Sequence, residues 1–164
     1  ASATVSDLAR READIAIRNV APAGDDLMAR RLKDGVAHLY AARAYADTCG
    51  DLDQPSELAC ARFIGFGDDR EFIDALSTRG VTIAPENFAT GSRSHLVHWA
   101  MVREGLGIGI MPAVVADADP VVARVGCGLE PFTFPIWLVA HRELRTSRRV
   151  RLVFDHLATE LNAL

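Results

Sequence analysis

An arginine and a glycine-containing turn stand where an α/β sheet could bind a small anion. Arg18 ends a strand predicted at 13–18, and open α/β sheets bind ligands at the carboxyl ends of their strands. A guanidinium there can hold a carboxylate through two parallel hydrogen bonds. Gly67 and Asp68 are a second candidate, because they join a predicted strand to a predicted helix. A surface salt bridge is the alternative role of Arg18.

Four polar residues open the clearest amphipathic helix, which is predicted from 92 to 105. They are Ser92, Arg93, Ser94 and His95. Helix N-termini present free amides and a partial positive charge, so they attract anions. Simple capping of the first turn by Ser92 or Ser94 is the structural alternative, and both roles can hold together. We therefore expect Arg93, Ser94 and His95, with Arg18, Gly67 and Asp68, to contribute to a ligand site.

Two other spacings are weak evidence for chemistry. His95 and His98 are three residues apart, as a metal-binding pair could be, but no carboxylate or cysteine joins them at a supporting spacing. The glycines Gly105, Gly107 and Gly109 do not match the GxGxxG pattern between a strand and a helix that binds dinucleotides. They are predicted to lie after a helix and in a strand, where they allow close backbone packing. We predict no metal and no cofactor.

No constellation for catalysis stands out. The arginine-rich segment 142–151 is interpreted as a solvated junction between a strand and a helix, because Glu143 and Asp155 lie beside its cations. The chain has no GxSxG nucleophile elbow and no Cys/His arrangement with a role to assign. We therefore predict that the domain is not an enzyme and has no catalytic residue.

Composition indicates a globular domain with no affinity for nucleic acid of its own. The 164 residues are 49% hydrophobic and 24% charged, with a formal net charge of −4. No apolar run is long enough to cross a bilayer, and the first residues lack a signal-peptide pattern. Cys49, Cys60 and Cys127 form neither a CxxC pair nor a zinc spacing, which suits free thiols in a reducing cytoplasm.

Strands and helices that alternate along the chain must position these residues. Short apolar segments predict strands at 13–18, 27–32, 36–41, 63–66, 106–111, 121–125 and 134–141. Capping residues and helical spacing predict helices at 6–12, 42–49, 67–78, 92–105 and 147–163. The last helix should bury one stripe of apolar side chains, namely Val150, Val153, Phe154, Leu157 and Leu161. The alternation is typical of a parallel-rich α/β fold.

Four segments in a characteristic order and spacing cover nearly the whole chain. They are DL…EADIAIR at 7–18, LYA…AY at 39–45, GLGIGIMP at 105–112 and IWLV…H…LR…RVR…FD at 136–155. Together they resemble the effector domain of LysR-type transcriptional regulators. The resemblance implies the α/β fold of type 2 periplasmic binding proteins, with two lobes, two crossing strands and an effector in the cleft between the lobes.

The resemblance also implies the domain boundaries and the orientation of the site. Lobe I would comprise 1–33 and 122–164, and lobe II would comprise 34–121, with crossings near 27–41 and 121–125. In many relatives, the positions of Arg18, Arg93 and Ser94 face the effector cleft. The helix-turn-helix, the linker helix and the first strand and helix of the sensing domain have no counterpart in these residues, so lobe I is expected to be incomplete.

The resemblance further implies the biological setting. The parent protein would be a cytoplasmic homodimer or tetramer, with no membrane attachment, that binds promoter DNA through an N-terminal winged helix-turn-helix. With lobe I incomplete, we expect the chain to self-associate or to be marginally stable. The alternative function is a solute-binding protein of a transport system, which has the same fold. Its secreted location fits poorly with the cysteine usage and with the ending at 136–155.

Overall fold

The computed structural model describes residues 13–22 and 26–163. The helix that we predicted at 6–12 lies outside these residues. Two short 3₁₀ turns, Pro85–Asn87 and Arg142–Thr146, accompany the regular elements. The regular elements are, in chain order, β1 Ile15–Arg18, β2 Leu27–Arg31, β3 Gly35–Ala42, α1 Arg43–Ala46, α2 Pro55–Cys60, β4 Phe63–Gly65, α3 Arg70–Ser77, β5 Phe88–Gly91, α4 His95–Arg103, β6 Gly109–Pro112, α5 Ala113–Ala116, β7 Val122–Val125, β8 Phe132–Phe134, β9 Trp137–His141 and α6 Arg148–Ala163.

The chain forms two compact units. The larger unit is Ala37–Phe132, and the smaller unit contains the described residues before 37 and after 132. The chain therefore passes between them within β3 and within β8. The predicted crossing at 121–125 corresponds to β7, which belongs to the larger unit. The lobe boundaries that we predicted at 33/34 and 121/122 stay predictions.

Strand β3 is the centre of the larger unit. It pairs antiparallel with β6 on one side and with β7 on the other, so that Leu39 lies opposite both Ile110 and Val125. Leu39 and the fully buried Tyr40 belong to two different apolar clusters. Because successive side chains of a strand point to opposite faces, β3 is covered on both faces. This explains the nearly continuous apolar run at 36–42.

Strands β4 and β5 form the parallel pair of the larger unit. On its other side, β4 forms a parallel bridge to the glycine-rich segment, in which Phe63 lies opposite Ile108. The Ile64 amide donates a hydrogen bond to the Ile108 carbonyl at 2.8 Å. In contrast, β3 pairs antiparallel with β6 and β7, and β9 pairs antiparallel with β1 and β2. The prediction of a parallel-rich fold was therefore wrong for these sheets, because alternation of strands and helices does not fix strand direction.

In the smaller unit, β9 lies between β1 and β2 and pairs antiparallel with both. Helix α6 contributes Phe154 and Ala158 to the buried cluster of this unit, with Leu157 and Leu161 packed against it. Val153, predicted to face inwards, is 47% exposed. The prediction was wrong there because the buried stripe follows 154, 158 and 161. Across the described ranges, no helix combines the length and apolarity that a bilayer crossing requires.

Arg79 joins the end of α3 to the segment just before the second crossing. Its guanidinium donates to the carbonyls of Ala75 at 2.7 Å, Glu130 at 2.9 Å and Pro131 at 3.2 Å. The guanidinium carbon also lies 4.2 Å from the ring centroid of Phe132. Three acceptors and a ring face satisfy this half-buried cation, so it fixes residues 130–132 to α3.

Candidate functional site

A cavity of about 380 Å³ lies in the larger unit at the carboxyl ends of the parallel strands β4 and β5. Its walls come from the turn after β4, from β5 itself and from the residues that lead into α4. Ligands of α/β proteins bind at this edge of a parallel sheet. The lining residues are Phe66, Gly67 and Asp69 from the turn, Phe88, Thr90 and Gly91 from β5, and Ser92 and Arg93 before α4.

The turn after β4 is held by Asp69. Its Oδ1 accepts a hydrogen bond from the Phe66 amide at 2.6 Å, and its carboxylate packs so closely on Gly65 that a Cβ there would collide with it. Gly67 has a φ of +100°, in the left-handed region that favours glycine. The Asp69 carboxylate therefore shapes the cavity wall, and one of its oxygens is already engaged by the backbone.

The path from β5 into α4 is fixed by backbone contacts. A Cβ at Gly91 would lie 2.6 Å from the Gly65 carbonyl oxygen, and the Ser92 amide donates to that same oxygen at 2.9 Å. The Ser92 hydroxyl accepts from the Ser94 amide at 3.2 Å. Ser94 precedes the helix, but its side chain makes no capping hydrogen bond. Of the two serines that were the alternative caps of the first turn, Ser94 therefore does not fill this role.

Arg93 supplies the cation of the cavity. Its side chain is exposed and passes over Gly67, where an added Cβ would lie 3.7 Å from the Arg93 Nε. The guanidinium forms no hydrogen bond or ion pair with any residue that the structure describes. Because an arginine is always charged, this group is available to a ligand anion.

Phe66 stacks on a buried histidine behind the cavity wall. Its ring lies 4.1 Å from the His98 ring at an angle of 8°, and the His95 ring is 5.3 Å away. His98 is fully buried, and neither ring nitrogen has a hydrogen-bond partner among the described residues. Burial lowers the pKa of His98, assisted by the charge of His95, while the Gly65 backbone and Asp69 oppose this shift. His98 is therefore a neutral, apolar support for Phe66 near neutral pH.

The structure brings some of the predicted site residues together. Gly67 and Arg93 line the same cavity. Asp68 is exposed, and neither it nor Ser94 or His95 is among the lining residues. Arg18 ends β1 in the smaller unit, where it lies opposite Trp137 of β9. In the part of the chain that the structure describes, no three histidine, cysteine or carboxylate side chains form a metal cluster.

Sequence reasoning missed six of the residues that line the cavity and the buried His98 behind Phe66. The missed lining residues are Phe66, Asp69, Phe88, Thr90, Gly91 and Ser92. Phe66 was interpreted as the last residue of a buried strand, although it lies beyond the end of β4. The proximity of Phe66 to a site could have been inferred, because it directly precedes Gly67. Its stacking on His98 could not, because the two residues are distant in sequence.

A second polar cluster lies elsewhere in the larger unit. The Tyr40 hydroxyl donates to Asp117 Oδ1 at 2.7 Å, and Arg124 donates to Asp117 Oδ2 at 2.7 Å. Burial, then the hydrogen bond to Asp117, raises the pKa of Tyr40 to about 12. The hydrogen bonds from Tyr40 and Arg124 lower the pKa of Asp117. These groups satisfy one another, so we interpret the cluster as a structural link between β3, β7 and the end of α5.

Comparisons with known proteins agree with this architecture. The family model of the LysR substrate binding domain matches residues 1–162. A comparison with curated protein sequences finds no match. Among solved structures, the chain is similar to the regulatory domain of CrgA, a LysR-type transcriptional regulator from Neisseria meningitidis. The identity is 23% and the TM-score 0.73, over 93% of this chain and 78% of that chain.

Two further solved structures are similar. The regulatory domain of AphB in Vibrio vulnificus has 20% identity and a TM-score of 0.62, over 88% of this chain and 74% of that chain. Full-length CbnR, a LysR family transcriptional regulator in complex with its target DNA, has 15% identity and a TM-score of 0.63. That match covers 93% of this chain and 54% of CbnR, so the chain spans about half of a full-length regulator.

These likenesses establish the fold as the α/β fold of LysR regulatory domains, the two-lobed type related to periplasmic binding proteins. The predicted fold class, the α/β fold of type 2 periplasmic binding proteins, is confirmed, although the pairings of β3 and β9 described above are antiparallel. Because the family model covers residues 1–162 of 164, this chain belongs to the LysR substrate binding domain family.

Proposed function

We propose that this chain senses a small anionic effector through the cavity beside Arg93 and so controls transcription by a LysR-type regulator. The observation that carries the proposal is a guanidinium with no hydrogen-bond or ion-pair partner among the described residues, at the carboxyl ends of two parallel strands. A carboxylate can accept two hydrogen bonds from this group. The hydroxyls of Thr90 and Ser92 line the same cavity, and the Ser92 oxygen that accepts from Ser94 still carries a proton to donate.

Asp69 restricts how an anion can bind. Its carboxylate lines the cavity and repels a second negative charge, although one of its oxygens is engaged by the Phe66 amide. The charged end of an effector therefore belongs at Arg93, with its remaining atoms along Phe66 and Gly67. We propose that Arg18, Asp68, Ser94 and His95 complete the site as the family resemblance implies.

The role in transcription follows from the family. We propose that the parent protein is a cytoplasmic homodimer or tetramer whose N-terminal domain binds promoter DNA. Full-length CbnR, which this chain resembles in fold, is solved in complex with its target DNA. An effector with a higher affinity for one arrangement of the regulator would shift its population and thereby alter DNA binding. A solute-binding protein with the same fold is the second candidate. The family match and the three regulators favour the first.

Arg93→Ala tests the proposal. We expect the variant to bind small carboxylates about ten- to a hundredfold more weakly, because a charge-assisted hydrogen bond contributes about 1.5–3 kcal/mol. Thermal-shift screening of acetate, succinate and benzoate identifies a binding acid, since a ligand of the native state raises the melting temperature. Titration calorimetry then measures its dissociation constant for both proteins.

The matched control is Arg103→Ala. Arg103 lies at the other end of α4, where it pairs with Asp119 at 2.8 Å, and it does not line the cavity. The control changes net charge by the same amount, so it should leave the dissociation constant within a factor of two or so of the parent value. If the parent protein and Arg93→Ala bind the same acid with equal affinity, Arg93 does not contribute to the binding site.

A further inference from the structure

The cavity beside Arg93 has an aromatic wall whose orientation is fixed before any ligand binds. Phe66 lines the cavity and is half-buried, so part of its ring remains open. One face of the ring is stacked on His98 at 4.1 Å, and the His95 ring lies 5.3 Å away. Two neighbouring imidazoles thus hold the phenyl ring in one position, and little side-chain entropy is left for a ligand to remove.

The support behind Phe66 is itself rigid. His98 is fully buried, and its Nε2 packs against the backbone of Gly109, where an added Cβ would lie 2.6 Å away. Gly109 belongs to β6, which pairs with the central strand β3. The stacked pair therefore rests on the core sheet of the larger unit. A ring held in this way is a preorganised surface for a flat ligand.

The size and polarity of the cavity define the rest of the ligand. An apolar cavity of about 150 Å³ already binds benzene, and this cavity measures about 380 Å³. One ring with a short acidic arm therefore fits. The cation of Arg93 lies beside Gly67, the residue that follows Phe66 in the chain. A ligand that stacks on Phe66 can therefore place an acidic arm at the guanidinium.

We propose that the effector is an aromatic carboxylate of a single ring, whose ring packs on Phe66 and whose acid binds Arg93. The proposal rests on the proposed function, because it assigns a chemical class to the anion sensed at that cavity. Phe66 determines the preference for a ring, and His98 is a positioning residue that acts through Phe66. A saturated ring of the same charge lacks the flat π face and loses the aromatic contribution.

Titration calorimetry on the full chain tests the proposal with benzoate, cyclohexanecarboxylate, acetate and benzyl alcohol. We expect benzoate to bind about three- to tenfold more tightly than cyclohexanecarboxylate, and acetate and benzyl alcohol to bind more weakly than both. Phe66→Leu should remove the preference for benzoate over cyclohexanecarboxylate, whereas Phe66→Tyr, which keeps the ring, should retain it. Phe132→Leu, outside the cavity, is the matched control and should also retain it.

His98→Leu tests the positioning role. This variant removes the stacked ring and should reduce the ratio of benzoate to cyclohexanecarboxylate affinity while acetate affinity stays unchanged. A variant that merely loosened the fold would weaken all three acids together. An unchanged ratio in folded His98→Leu would overturn the role of His98.

The two proposals fail in different ways. Equal affinities for benzoate and cyclohexanecarboxylate that both fall in Arg93→Ala would overturn the aromatic class and leave the anion site intact. Benzyl alcohol binding as tightly as benzoate, with no loss in Arg93→Ala, would overturn the anion site. Absence of binding by all four probes would overturn both.

Discussion

At the scale of single residues, His98 is unusual because a titratable side chain is fully buried without a hydrogen-bond partner among the described residues. Its surroundings explain why it is tolerated. The Phe66 ring covers one face, and the backbone of Gly109 packs against Nε2. Burial disfavours the charged imidazolium, so His98 behaves as an aromatic core residue above its lowered pKa.

This burial predicts a pH dependence of stability. Below the ordinary histidine pKa of 6.5, the unfolded chain takes up a proton at His98, whereas the folded chain does not because its pKa is lower. The free energy of unfolding should therefore fall as the pH drops from 6.5 towards the folded pKa, by up to about 1.4 kcal/mol per pH unit. Urea unfolding at several pH values between 7.5 and 5 measures this slope.

The slope should be shallower in His98→Leu than in the parent protein. His156→Gln is the control, because His156 is 72% exposed on α6 and its replacement should leave the slope unchanged. His38 also has a lowered pKa through burial and the charge of Arg124, so a smaller slope should persist in His98→Leu. If the parent protein and His98→Leu have identical slopes, protonation of His98 does not lower the free energy of unfolding.

At the scale of elements, glycine decides how closely β5 can approach β4. Gly91 lies against the Gly65 carbonyl, and a Cβ at this position would be 2.6 Å from that backbone oxygen. Neither strand has a flexible side chain at this contact that could move aside. The distance between the carboxyl ends of the two strands, and with it the shape of the cavity, therefore depends on the absence of a side chain at Gly91.

Gly91→Ala should lower the free energy of unfolding by roughly 1–3 kcal/mol, the usual cost of forcing extra volume into a packed region. It should also weaken carboxylate binding, because Gly91 lines the cavity. Gly128→Ala is the control, since an added Cβ there meets no atom within 4 Å. Urea unfolding monitored by circular dichroism measures both variants. Equal stabilities of the two variants would show that β5 shifts at no cost.

Sequence reasoning predicted the elements with strong local patterns. The amphipathic helix at 92–105 and the apolar run at 36–41 correspond to α4 and β3. Strand β5 was not predicted, because the segment Phe88–Gly91 has no alternation of its own and depends on its partner β4. The alternative that Ser94 caps α4 was wrong for a similar reason. The Ser92 hydroxyl is engaged by the Ser94 amide, a contact that the type of residue does not determine.

The candidate site was predicted only in part. Gly67 was predicted because it joins a strand to a helix, and Arg93 because helix N-termini attract anions. Phe66 and His98 were not, since an aromatic residue and a buried histidine look like core from sequence alone. Their importance arises from a stacking contact between segments that are distant in the chain.

At the scale of the whole molecule, the net charge of the chain fits the proposal that effector sensing and DNA binding belong to different domains. The 164 residues carry a formal net charge of −4, and no helix-turn-helix pattern stands out in the sequence. These residues alone should therefore show no sequence-selective, salt-sensitive retention of promoter DNA in a mobility-shift assay. Selective retention by this chain would contradict the proposed division of roles between a sensing domain and a DNA-binding domain.

Helix α3 has a mechanical consequence for this division of roles. It starts after Asp69 in the cavity wall and is followed closely by Arg79. The Arg79 guanidinium donates hydrogen bonds to the carbonyls of residues 130 and 131, just before the chain leaves the larger unit. An eight-residue helix is about 12 Å long and stiff over that distance. It therefore connects the cavity wall to residues 130 and 131 inside the larger unit, and we expect a ligand that displaces Asp69 to shift these residues as well.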